Sequence, residues 1–152
     1  MNLKRYLSVL LALVMVLVLL PVGAAQAESY NLWVNGIQVT TENQGNVLGD
    51  ASASVQFDNS SGENVLTLTD PILTEAGGKD AVICWTAGAP LVITGEAYIM
   101  TNYPGRVGMQ SEVGDLTLRS LNLTIQVQGG GSCGINQMDG RDRKSTRLNS
   151  SH

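Results

Sequence analysis

The feature that most limits what this chain can fold into is a repeat of twenty-five residues in its second half. Leu66, Leu91 and Leu116 recur at that interval, as do Leu68, Ile93 and Leu118, and further along the same frame Leu73, Tyr98 and Leu123. The first two columns open apolar-x-apolar runs, LTLT, LVIT and LTLR, and between the second and third columns fall Asp70-Pro71, Gly95-Glu96 and Ser120-Leu121. A fixed period of this size, built from short β runs without a helical pattern, signals stacked repeats. The expected fold is all-β: the N-terminal part of a right-handed parallel β-helix, one repeat to a coil, with like residues about 4.8 Å apart in adjacent coils. Alternation along each strand turns Thr67 and Thr117 outward and the leucines into a shared interior. An antiparallel β-sandwich is the alternative, because its short strands also recur. A leucine-rich repeat needs an L-x-x-L-x-L run, which does not recur here.

Two hairpins are expected ahead of the coils. In LWVNGIQVT, Asn35-Gly36 separates two alternating runs, and that dipeptide suits a two-residue turn in which both residues take positive φ. ASASVQF and NVLTLT flank the polar stretch Asp58 to Glu63 as a second hairpin. Residues 28–62 are thus read as a β-hairpin cap over the first rung, and residues 63–141 as coils. One Phe and two Trp imply that the core is aliphatic.

Residues 1–27 read as a signal peptide. Lys4 and Arg5 precede an apolar block from Leu7 to Leu20, followed by Pro21 and the small-residue string ending Ala25-Gln26-Ala27. The apolar block is shorter than the roughly 20 residues that cross a bilayer. Contact with a membrane is therefore expected only before cleavage, and the chain is expected to be secreted or held at the cell wall or surface. At the other end, DRKSTRLNSSH (142–152) matches residue for residue the translation of a common sequencing-library adapter. It is read as an artefactual tail, which removes His152, the single histidine, from consideration. The repeat frame would begin its next strand at Arg141, where this tail intervenes.

Between the ends, Glu28 to Arg141 carries twelve carboxylates against Lys79, Arg106, Arg119 and Arg141, a net charge of minus eight. Such a surface repels polyphosphates, so nucleic acid is excluded as a partner class.

The segment YNLWVNGIQVTTENQGNVLGD, the strand LTLTDPIL and the later VGDLTLRSLNLTI together resemble a group of large secreted or wall-attached proteins of gut Firmicutes, described as β-helix repeat or carbohydrate-binding domain-containing proteins. The resemblance covers residues 30–140, and Gly114-Asp115-Leu116-Thr117 matches the group's recurring step. Ala89-Pro90-Leu91-Val92 departs from it. The resemblance implies a non-enzymatic cell-surface scaffold for binding or adhesion, with polysaccharide or host and cell-wall glycans as candidate partners. The alternative is the N-terminal part of a β-helix polysaccharide lyase or hydrolase whose active coils lie elsewhere.

No catalytic set is expected: Arg119 has Asp115 nearby but no second acid in its column, which paired-carboxylate hydrolysis requires. No metal site or cofactor is expected either, because Asp70, Asp80, Glu96, Glu112 and Asp115 are scattered, whereas calcium needs several oxygens converging on one point. Trp85 and Tyr103, placed in loop-like stretches, are the candidate carbohydrate-binding residues, as an aromatic face suits the apolar face of a pyranose. Tyr98 is assigned to an apolar column and Trp33 to packing of the cap. Cys84 and Cys133 fall two coils apart, about 9.6 Å by strand spacing, beyond the roughly 7 Å that a disulfide tolerates. Two free thiols filling the core are expected.

Overall fold

The computed structural model describes Tyr6, residues 27–101 and residues 103–138. Apart from Tyr6 and Ala27, the expected signal peptide lies outside the described residues, as does the 142–152 tail. The described chain is all-β. It contains β1 (Ser29–Val34), β2 (Ile37–Thr40), β3 (Val55–Asp58), β4 (Asn64–Leu73), β5 (Ala81–Trp85), β6 (Leu91–Thr101), β7 (Val107–Ser111), β8 (Leu116–Val127) and β9 (Cys133–Gln137). They form two mixed sheets, ordered β2-β1-β5-β7-β9 and β3-β4-β6-β8, neither of them closed.

From β4 onward the chain alternates between the sheets. Within one sheet β4, β6 and β8 run parallel, and within the other so do β5, β7 and β9. Antiparallel pairing is confined to the N-terminal strands: β1 with β2 and β5, and β3 with β4. Both expected hairpins are present. Asn35 (φ 52°) and Gly36 (φ 78°) make the two-residue turn between Val34 and Ile37, both in the left-handed region such a turn demands. The turn docks on the loop after β4, where Asn35 Oδ1 accepts from the Thr74 and Glu75 amides, both at 2.8 Å. A Cβ at Gly36 would stand 2.7 Å from Gly77 Cα, so neither backbone leaves room for a side chain there.

The register corrects the twenty-five-residue columns. Leu66 lies opposite Ile93, and Asn64 opposite Leu91, so the first step spans twenty-seven residues. The second keeps twenty-five, with Leu91 opposite Leu116 and Ile93 opposite Leu118. A slip of two preserves the face, because side chains alternate with period two. The apolar ladder is therefore Leu66–Ile93–Leu118, offset from the one the spacing implied. Further along, the interval becomes twenty-six, and Leu73, Ile99 and Ile125 align.

The change of interval has a local cause. Register shifts lie between Thr69 and Ile72 and between Thr94 and Gly95, as expected where one strand carries an extra residue in a bulge. At those points Asp70 (φ 54°) and Ser120 (φ 47°) take left-handed backbone, and Gly95 takes φ 105°. The three residues, twenty-five apart, make a common corner that bends each long strand.

The core lies between the sheets. Leu66, Leu68, Leu73, Leu91, Ile93 and Ile99 from one sheet meet Leu32, Val34, Ile83, Trp85 and Met109 from the other. Each such aliphatic side chain contributes about 1.5–3 kcal/mol over leaving it exposed. Gly108 lets the sheets close up, since a Cβ there would be 2.6 Å from Ile125 Cγ2.

Candidate functional site

Of the two aromatics expected at a binding surface, only Tyr103 is at the surface. Trp85 ends β5 on its inward side, is 2% exposed, and packs near Phe57 with ring centroids 6.5 Å apart. Its indole N–H donates to the Ala89 carbonyl at 2.7 Å, so neither ring face is free to stack on a sugar. The loop-like look of CWTAGAP concealed a strand end whose parity points into the core. Tyr103 is 61% exposed on the connection between β6 and β7.

Tyr98 moves the other way. In the twenty-five-residue frame it falls in line with Leu73 and so inside. The bulges displace that frame by one residue, placing Tyr98 opposite Ile72 and Thr124. A one-residue displacement exchanges the faces of a strand. Tyr98 is half-buried on the outer face, and its hydroxyl bonds to Gln126 Oε1.

Around it the parallel strands set side chains in rows. Ile72, Tyr98 and Thr124 form the central row, with Ile72 68% exposed. Beyond one side lie Glu96 and Asn122, joined by a 2.8 Å bond from Asn122 Nδ2 to Glu96 Oε1. On the other side are Met100 and Gln126. Neighbouring strands are about 4.8 Å apart and successive same-face residues about 6.7 Å apart, so the three rows make a flat patch the size of one or two sugar rings. It offers a phenol ring, an adjacent aliphatic surface, two amides and a carboxylate, which together provide stacking and both senses of hydrogen bonding.

Among the described residues, the other end of this outer face has no free cation. Arg119 reaches across β6 to Glu63, with paired bonds of 2.8 and 3.1 Å. That contact holds the Glu63 carboxyl below its usual range and the guanidinium above its own. Asp115, the acid nearest Arg119 in sequence, instead accepts from Gln137 Nε2 at 3.0 Å. Among the described residues no three His, Cys, Asp or Glu side chains are grouped to hold a metal ion.

The outer face of the five-stranded sheet carries a second row, Trp33, Cys84, Gln110 and Asn136. Lys79 Nζ sits 3.6 Å over the Trp33 ring. Beside this row an open groove of about 560 Å³ is lined by Asp80, Gln110, Glu112, Cys133, Asn136 and Met138 among others. It contains no aromatic ring.

The two cysteines are free and differ in setting: Cys84 is buried and Cys133 exposed. The expectation of a buried thiol therefore holds for Cys84, although it is covered in a small outer cluster with Ala81, Val107 and Trp33 and not in the core between the sheets, and it fails for Cys133. Strand β9, which carries Cys133, is the last of its sheet and is covered on one side only. Burial, and then the Glu112 carboxylate, push the Cys84 thiol up, which keeps it protonated and unreactive, because the thiolate is the nucleophile. Titration of the native protein with a thiol reagent at mildly alkaline pH is expected to label Cys133 alone, and labelling in denaturant to reach both. Equal native rates at the two sites would contradict the burial of Cys84.

Among the described residues no helix is long and apolar enough to cross a membrane. Comparison with family models, with curated proteins and with solved structures finds no match to this chain.

Proposed function

We propose that this chain is part of an exported, non-enzymatic surface scaffold that binds polysaccharide through the Tyr98 face. The parallel rungs are read as the beginning of a right-handed β-helix. Support comes from the chain's regular alternation between sheets and from the corner residue repeated in each turn. The leader-like sequence of residues 1–27 supports export and a place outside the cell.

The observation that carries the binding reading is the outward Tyr98 between Glu96–Asn122 and Gln126. Flat sheet faces with a ring flanked by amides suit the alternating apolar and hydroxyl-bearing faces of a pyranose. Acid–base cleavage at the Tyr98 face is disfavoured because Arg119 is engaged by Glu63 and the Glu96 carboxylate is held by the Asn122 amide. The test is a glycan array of plant, mucin and microbial polysaccharides, followed by titration of any hit. Tyr98→Ala is expected to weaken binding about tenfold, equivalent to about 1.4 kcal/mol, with thermal stability little changed. A blank array reduces the chain to a spacer. Release of new reducing or unsaturated ends from a bound polymer would replace the scaffold reading with an enzyme.

A further inference from the structure

Charge is distributed unevenly around the Tyr98 face. Among the described residues the cations are Lys79, Arg106 and Arg119, and each is engaged. Lys79 lies 3.6 Å over the Trp33 ring and Arg106 meets Asp80 at 3.6 Å, both beside the five-stranded sheet. Arg119 shares the outer face with Tyr98 but is clasped by Glu63 through two bonds. Carboxylates, by contrast, border the patch itself. Glu96 stands opposite Thr69, and Asp70 follows Thr69 at the bend of β4. Both acids are exposed.

Glu96 is placed to act on sugar hydroxyls. Its carboxylate accepts from Asn122 Nδ2 at 2.8 Å. A carboxylate has lone pairs for further donors, and an amide nitrogen has a second hydrogen to give. Adjacent hydroxyls of a pyranose can answer both, one donating to the carboxylate while the oxygen of its neighbour accepts from the amide. A hydrogen bond to an ionised acceptor is stronger than one between neutral groups. An ionised carboxylate, sulfate or phosphate on the sugar has no such proton to donate, and it meets Glu96 as a like charge. Screening makes this local: at physiological ionic strength charges act over about 8 Å. Glu96 and Tyr98 are same-face neighbours about 6.7 Å apart along the strand, within that length, whereas most of the acidic surface lies beyond it.

We infer that the Tyr98 face selects uncharged polysaccharide, with Glu96 both gripping neutral hydroxyls and turning acidic sugars away. This rests on the polysaccharide-binding reading of the face and names the class of ligand it takes. A repulsive group beside an attractive one is how a site separates two partners of similar shape.

The test titrates the full chain, at physiological ionic strength, with neutral glucans, xylans and mannans and with polygalacturonate and alginate. Any neutral polymer that binds is titrated again after carboxymethylation and, to control for bulk, after hydroxyethylation. The carboxymethylated form is expected to bind about tenfold more weakly, and the hydroxyethylated form to bind almost as well as the parent. Glu96→Gln keeps the shape and the bond from Asn122 but removes the charge. It is expected to bind the neutral polymer a few-fold more weakly and the carboxymethylated one more tightly than wild type does, so that the gap closes. Asp70→Asn, which suits the left-handed backbone there, narrows the gap as well and serves if Glu96→Gln does not fold. Equal or tighter binding of an acidic polymer, abolished by Tyr98→Ala, overturns the selectivity and leaves the polysaccharide reading standing. A gap unchanged in folded Glu96→Gln also overturns it. Failure to bind any polymer, neutral or acidic, overturns both readings together.

Discussion

Replacing Gly95 with alanine is expected to abolish the folded state or cost more than about 4 kcal/mol, a range that single substitutions reach only through a specific steric or burial failure. Gly95 sits at the corner of β6 with φ 105°, where an added Cβ would lie 1.9 Å from the Leu68 carbonyl oxygen. That oxygen belongs to the neighbouring strand, held in the β4–β6 ladder, and cannot retreat without breaking the parallel pairing. Two penalties combine, the forbidden backbone angle and the collision. Urea unfolding followed by far-ultraviolet circular dichroism would measure the loss. Gly130→Ala is the control: nothing lies within 4 Å of its Cβ position and its φ is not positive, so it is expected to stay within about 0.5 kcal/mol. A Gly95→Ala protein with an unshifted midpoint would mean that the strands do not approach at this corner.

The second large effect is expected at Trp85. Truncation to alanine removes the largest fully buried side chain from between the sheets, at a cost of about 3–5 kcal/mol. It also leaves the Ala89 carbonyl without the indole N–H that now serves it. Trp85→Phe keeps most of the volume and loses the hydrogen bond, so a smaller cost of about 1–3 kcal/mol is expected. Tyr103→Ala, on an exposed turn, should move the midpoint little. The three variants separate stability from binding: the Trp85 changes act through unfolding, Tyr98→Ala through the ligand. A Trp85→Ala protein of full stability that lost polysaccharide binding would put the indole at the surface instead.

Both expectations depend on corners and on parity, and those are where sequence and structure diverge. Periodic leucines announce that strands stack, because burial requires an apolar residue wherever the chain returns to the interior. They do not report a single inserted residue. Asp70 and Ser120 each add one at a bend, and beyond them inside and outside are exchanged. Tyr98 points outward by plain alternation from the buried Leu91 and Ile93, but the repeat frame set it in line with Leu73 and Leu123, which lie beyond extra residues that β6 lacks. The partners of Tyr98, Glu96, Asn122 and Gln126, are separated in sequence by up to thirty residues and meet only through the β6–β8 register. Trp85 failed for a related reason, since a strand of five residues followed by Thr-Ala-Gly looks like a loop until a facing sheet covers it.

The amino-acid order alone determined the all-β class, the two hairpins and a return of the chain about every twenty-five residues, which strand pairing then adjusted to between twenty-five and twenty-seven. Those follow from short-range physics: turn residues that tolerate positive φ, β-branched alternation and the burial of leucines. Tertiary structure decided which member of each apolar run faces its neighbour, which tyrosine reaches solvent and which cysteine does not. Those outcomes depend on main-chain bonds between distant strands and on extra residues at two corners, whose effect on every later side chain becomes visible only when the strands are paired.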